Sequence, residues 1–165
     1  MNSTFDDAVA LIFEHEGGLV RNPNDPGGIT KYGISVAAYP HLGPDGISAL
    51  TRDEAAQIYR EDYWEAIKGD DMPPAVSVAV FDAAVNSGVH RSSIWLQSAL
   101  NVTRDGKIGP TTIRASRSKP AVDTLSEILT LRMRFYTSLE TWKHFGNGWT
   151  RRIMRTAIYC GGLID

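Results

Sequence analysis

Glu16, Asp25 and Thr30 lie within one short, turn-rich stretch that runs from Glu16-Gly17-Gly18 to Tyr32-Gly33-Ile34. Two carboxyl groups and a hydroxyl around one cleft can perform acid–base chemistry. One carboxyl protonates a leaving oxygen, and the other, with a hydroxyl beside it, activates a water or stabilises an oxocarbenium-like state. Two carboxyl groups with room for a water between them suit glycoside hydrolysis with inversion. The bland alternatives are a glutamate filling a helix C-terminus and a hairpin Asp bonded to its own backbone.

The preceding helix separates Glu16 from its neighbour Glu14. Ser3 or Thr4 can cap it, and Asp6 and Asp7 suit its positive end. Phe5, Val9, Ile12 and Phe13 recur at the spacing of one helical face. At about 100° per residue, Glu16 falls on that apolar face and Glu14 on the opposite side. Gly17-Gly18 stops the helix there. Burial and the negative helix end both disfavour a charged carboxylate, so Glu16 is expected to hold its proton as a general acid. Asp25-Pro26-Gly27-Gly28 reads as a tight turn, since Pro presets one dihedral and Gly supplies positive φ.

The block Glu16-Gly17-Gly18 followed by Asp25-Pro26-Gly27-Gly28-Ile29-Thr30-Lys31-Tyr32-Gly33-Ile34 resembles glycoside hydrolase family 108, the phage and bacterial N-acetylmuramidases. In that family the Glu of the Glu-Gly-Gly motif is catalytic, which here is Glu16. The Glu…Asp…Thr order is also similar to the phage-type lysozymes of family 24, where the gap between Asp and Thr is one residue longer. From Trp64 to Trp149 the chain resembles the predicted peptidoglycan-binding region that accompanies family 108. The marks are Phe81-Asp82, Asn86-Ser87-Gly88, Leu96-Gln97, Asp105-Gly106 and Gly109-Pro110-Thr111.

The rest of the chain must position these groups. Its 165 residues suit one domain, and 42% hydrophobic content supplies a core. The net charge of -2 gives no sign of a nucleic-acid partner. The single cysteine, Cys160, excludes an internal disulfide. No apolar run is long enough for a membrane anchor, and no signal peptide is visible. The four histidines show no metal-ligand spacing, so neither metal nor cofactor is expected.

Residues 35–50 read as a loop or short helices, because Pro40, Pro44 and several glycines interrupt them. Thr51-Arg52-Asp53-Glu54 is a capping box, and a helix is expected from there to Ile67. Tyr59, Tyr63 and Trp64 on it suit packing more than sugar stacking. Ala75 to Ser87 is apolar all round and reads as the central helix. Asp82 and Asn86 share one face of it, either as buried polar groups or as lining of the cleft. A further helix starts at Ser92 or Ser93. The longest runs from Ala121 to Leu139, with Arg132 in its apolar stripe and in need of a partner. Residues 143–148 read as a turn and 149–158 as a last short helix. Its Arg151, Arg152 and Arg155 form a basic patch, by default a solvated face.

The fold expected is mainly α: a lysozyme-like helical bundle with a small turn or β-hairpin segment at the active site. It is a single domain over 1–165, with a catalytic lobe over 1–70 and a helical lobe over 71–165. The function expected is that of a muramidase acting on peptidoglycan glycan strands. Glu16, Asp25 and Thr30 are the catalytic residues, and Tyr32 and Asn86 are substrate-binding. A lytic transglycosylase, or a wall-binding module without activity, are the alternatives. As the resemblance implies, the setting is a phage or prophage endolysin. It would be a monomer made in the host cytoplasm and released by a separate membrane-permeabilising protein.

Overall fold

The computed structural model describes residues 4–16, 19–21 and 28–164, and the side chains of Val20 and Arg21 are left aside. The order of elements is α1 (Thr4–Glu16), β1 (Val20–Arg21), β2 (Ile29–Lys31), β3 (Ile34–Ser35), α2 (Gly43–Ala49), α3 (Arg52–Tyr59), α4 (Pro74–Ser87), α5 (Val89–Ala99), α6 (Pro110–Ser118), α7 (Ala121–Thr137) and α8 (Trp142–Gly161). The fold is mainly α, with one small antiparallel sheet in the order β1-β2-β3. The Gly17-Gly18 stop, the Ser3 cap and Asp25 with its Pro26-Gly27 turn lie outside the described residues.

α4 is the axis of the molecule. Every residue from Ala75 to Ala84 is buried, and the helix meets α1, α5, α7 and α8. An all-round apolar helix has no face to give to water and needs partners on every side. One core cluster joins Phe5 and Ile12 of α1, Trp64, Phe81 of α4, Leu96 of α5, Ile128 of α7 and Cys160 of α8. Phe5, Trp64 and Phe81 pack edge to face, with centroids 5.4–6.0 Å apart. That is the arrangement aromatic quadrupoles favour.

The capping box forms as the sequence implies: the Glu54 amide donates to Thr51 Oγ1, and the Thr51 amide donates to Glu54 Oε2 at 2.8 Å. The helix it opens does not continue regularly to Ile67. It ends at Tyr59, and a π-helical turn covers Arg60–Trp64. Trp64 is fully buried, donates to Asp70 at 3.0 Å, and has the Gly69 backbone pressed on its ring. Seating that indole in the core fixes where the chain must widen.

The larger departure is α8. Residues 143–148 are helical rather than a turn, so α8, and not α7, is the longest helix. Two glycines lower helix propensity there, but packing overrides it. Gly146 sits against Trp142, and a Cβ on it would lie 2.8 Å from the ring. The Trp149 ring stacks on Tyr136 at 5.0 Å. α5 begins at Val89, ahead of Ser92 and Ser93, whose hydroxyls donate back to the Val89 carbonyl. Residues 35–50 resolve into β3, a 3-10 turn at Pro40–Leu42 and the short α2.

The Asp105-Gly106 motif has a structural use. Buried Gln97 donates to Asp105 and to the Lys107 carbonyl, and accepts from the Gly106 amide at 2.9 Å. One side chain thus closes the turn between α5 and α6. Gly106 has φ +73°, and a Cβ there would overlap His90.

Candidate active site

The C-terminus of α1 carries Glu16 to the edge of the small sheet. Lys31 and Ile34 are paired across β2 and β3, so only Tyr32 and Gly33 connect the strands. Both have positive φ, 53° and 79°, as a type I′ hairpin turn requires. That turn lies directly on Glu16. A Cβ on Gly33 would fall 2.6 Å from Tyr59 Oη and 2.8 Å from Glu16 Cγ. Tyr59 Oη also donates to the Tyr32 carbonyl at 2.8 Å, fixing the turn against α3. Glycine is therefore the residue that lets the hairpin close onto the acid.

Glu16, Gly33, Tyr39, Tyr63, Val85 and Asn86 line a cavity of about 160 Å³. Tyr39 Oη donates to Asp62 Oδ2 at 2.7 Å, which holds that wall in place. Burial pushes the Tyr39 hydroxyl above its ordinary range, and the bond to Asp62 adds to this. Tyr39 is therefore a neutral donor.

Behind Glu16 lies a buried ion network. Arg152 of α8 donates from Nη1 to Glu16 Oε1 at 2.5 Å and from Nε to Asp82 Oδ1 at 2.8 Å. Asp82 is fully buried on α4, and also accepts from Arg132 of α7 at 2.5 Å and from Thr156 at 3.1 Å. Burial alone would push Asp82 up, but the guanidinium groups of Arg132 and Arg152 hold it down at about 2. A buried carboxylate between two guanidinium groups satisfies the rule that buried charges be paired.

The network also orients Asn86. Arg132 Nε donates to Tyr136 Oη at 2.8 Å, and Tyr136 Oη donates to Asn86 Oδ1. Arg132 Nη2 approaches the same oxygen at 3.4 Å. With donors fixing the carboxamide oxygen, the Asn86 NH₂ must face away from the network.

The environment of Glu16 differs from the apolar wall expected of it. Its side chain is 26% exposed and ion-paired to Arg152, while Glu14 is exposed as the helical face argument implies. Thr30 is half-buried in the middle of β2, paired with Val20 and Ser35. Lys31 reaches the Ser48 carbonyl on α2 at 2.9 Å, and side chains alternate along a strand, so Thr30 stands on the other sheet face. Tyr32 packs on Phe13 at 5.3 Å and is not in the cavity wall. The structure thus brings Glu16 and Asn86 to one cleft, and packs Tyr32 on Phe13 outside its wall.

Arg152 is the residue that sequence reasoning missed. It is buried, not part of a solvated patch; Arg151 and Arg155 are exposed. The signal was present: Arg152, Thr156 and Cys160 recur at i, i+4 and i+8 and share the buried face of α8. Arg132 has the partner its position demanded, in Asp82. Among the described residues, no group of three or more His, Cys, Asp or Glu could hold a metal.

A family model described as glycosyl hydrolase 108 matches residues 9–88. One described as a predicted peptidoglycan domain matches residues 91–154. The solved structure of SagA from Brucella abortus is similar at a TM-score of 0.87 and 37% sequence identity, over 97% of this chain and 95% of that one. Comparison with curated proteins finds no match.

Proposed function

Because the chain belongs to glycoside hydrolase family 108, and is a hydrolase of peptidoglycan, we propose that it is an N-acetylmuramidase. It would cleave the β-1,4 bond between N-acetylmuramic acid and N-acetylglucosamine. The observation that carries this reading is the setting of Glu16. One carboxyl oxygen is held by Arg152, and the residue lines the cavity beneath the hairpin.

In the proposed reaction, Glu16 gives its proton to the glycosidic oxygen as the bond from the anomeric carbon to that oxygen breaks. Asp25, helped by Thr30, takes a proton from the water that attacks the anomeric carbon. Arg152 then faces the carboxylate left on Glu16, so the charge formed in the step meets a fixed guanidinium. Asn86 offers its NH₂ to a substrate oxygen, and Tyr32 helps to bind the sugar from the hairpin turn that closes onto Glu16.

Asp25→Asn is expected to lower hydrolysis by about 10²-fold or more, the usual worth of a general base. Thr30→Ala should lower it less. A fully active Asp25→Asn enzyme releasing anhydro sugars would instead assign a lytic transglycosylase, which needs one acid and no activated water.

The resemblance of the Glu16 to Ile34 block to phage and bacterial muramidases supports the further proposal that the enzyme serves phage or prophage lysis. No helix among the described residues is long and apolar enough to cross a membrane. As an endolysin made in the cytoplasm, it would reach the wall once a separate protein has permeabilised the membrane. Expressing cells should stay intact until a permeabilising agent is added. Lysis on expression alone would contradict this setting.

A further inference from the structure

A second groove, of about 380 Å³, adjoins the cleft on the far side of the Glu16–Arg152 pair. Asn86 lines both. The groove is basic: Arg151, Arg152 and Arg155 of α8 face one carboxylate, Glu14. Arg151 and Arg155 are four residues apart and therefore on one helix face. Both are exposed, and neither makes an ion pair among the described residues. Like charges at that spacing repel, so the arrangement is improved by an anion between them.

Two further features point the same way. The buried side-chain nitrogens without a hydrogen-bond partner among the described residues are Arg152 Nη2 and His15 Nε2, and both residues line this groove. Trp149 also lines the groove, and its ring, stacked on Tyr136 at 29°, gives a flat apolar wall. A cationic groove with a flat wall suits an extended chain with carboxylates, and is roomier than one carboxylate needs.

We propose that this groove binds a carboxylate of the peptide stem carried by the muramic acid beside the scissile bond. The inference rests on the muramidase reading of the cleft. Peptidoglycan differs from other β-1,4 glycans of acetylated amino sugars in having these acidic stems. Arg151 and Arg155 would supply charge-assisted hydrogen bonds, and Trp149 would pack the stem's apolar atoms. The enzyme would then read the peptide as well as the sugar.

The test compares the full chain with its Arg151→Gln/Arg155→Gln double variant on two substrates. One is stem-bearing glycan. The other is glycan stripped of stems by an amidase, which leaves the lactyl carboxylate on the sugar. The wild type should favour stem-bearing strands by roughly tenfold in kcat/KM, the worth of a hydrogen bond to a charged group. The double variant should lose most of that preference. Equal cleavage of both substrates by the wild type would overturn the inference and leave glycoside cleavage standing. An equal loss on both substrates in the variant would also overturn it, pointing to the lactyl carboxylate. Cleavage of neither substrate by the wild type would remove the muramidase reading, and this inference with it.

Discussion

Glu16→Gln is expected to lower peptidoglycan hydrolysis by about 10²–10⁴-fold or more, while leaving the fold intact. The amide keeps the shape of the side chain and an oxygen that can accept from Arg152 Nη1, so the link from α1 to α8 survives. What is lost is the transferable proton. The measurement is turbidity loss of purified walls, beside a circular dichroism melt of the same preparation. A Glu16→Gln protein with near wild-type lysis would remove Glu16 from the chemistry. One that is inactive and unfolded would show that its role is structural.

Asp82→Asn has the largest expected effect on stability. Asp82 is the meeting point of Arg132, Arg152 and Thr156, all of them buried. Removing its charge leaves Arg132 in the core without a counter-charge and Arg152 with Glu16 alone, a change that costs about 3–5 kcal/mol. The same substitution frees Arg152 from one of its two anchors, so activity should fall as well. The pH dependence has a definite sign. Asp82 sits at about 2 in the folded protein against an ordinary 3.8. Its contribution is therefore complete above about pH 4 and is lost as pH falls through about 2. Urea denaturation at several pH values should show a wide gap between wild type and variant near neutrality that narrows in acid. The network joins α1, α4, α7 and α8, so both proteins should unfold in one transition. A variant as stable as the wild type at pH 7 would show that Asp82 does not hold the core together.

Much of this was legible in the sequence because helical periodicity is a strong signal. The stripe on α1 separated Glu16 from Glu14, and the all-round apolar character of α4 marked it as the axis. Asp82 and Asn86, one turn apart, stood out as polar groups on that apolar helix, and Arg132 as a charge that needed a partner. Arg152 was hidden by its neighbours: between Arg151 and Arg155 it read as one of three surface cations. Only the shared face with Thr156 and Cys160 sets it apart. The start of α8 was hidden because Gly146 and Gly148 speak locally against a helix, while the Trp149 indole that holds it stacks on Tyr136 of α7, a contact between helices. The π-helical turn after α3 depends on seating Trp64, which no local pattern records.

The most direct test of the central claim is mass spectrometry of the fragments that the full chain releases from purified peptidoglycan. The account predicts disaccharide–peptide fragments that end in reducing N-acetylmuramic acid, because a water takes the anomeric carbon after Glu16 protonates the leaving oxygen. Fragments ending in 1,6-anhydro-muramic acid or in reducing N-acetylglucosamine, or glycan strands left uncut, would contradict it.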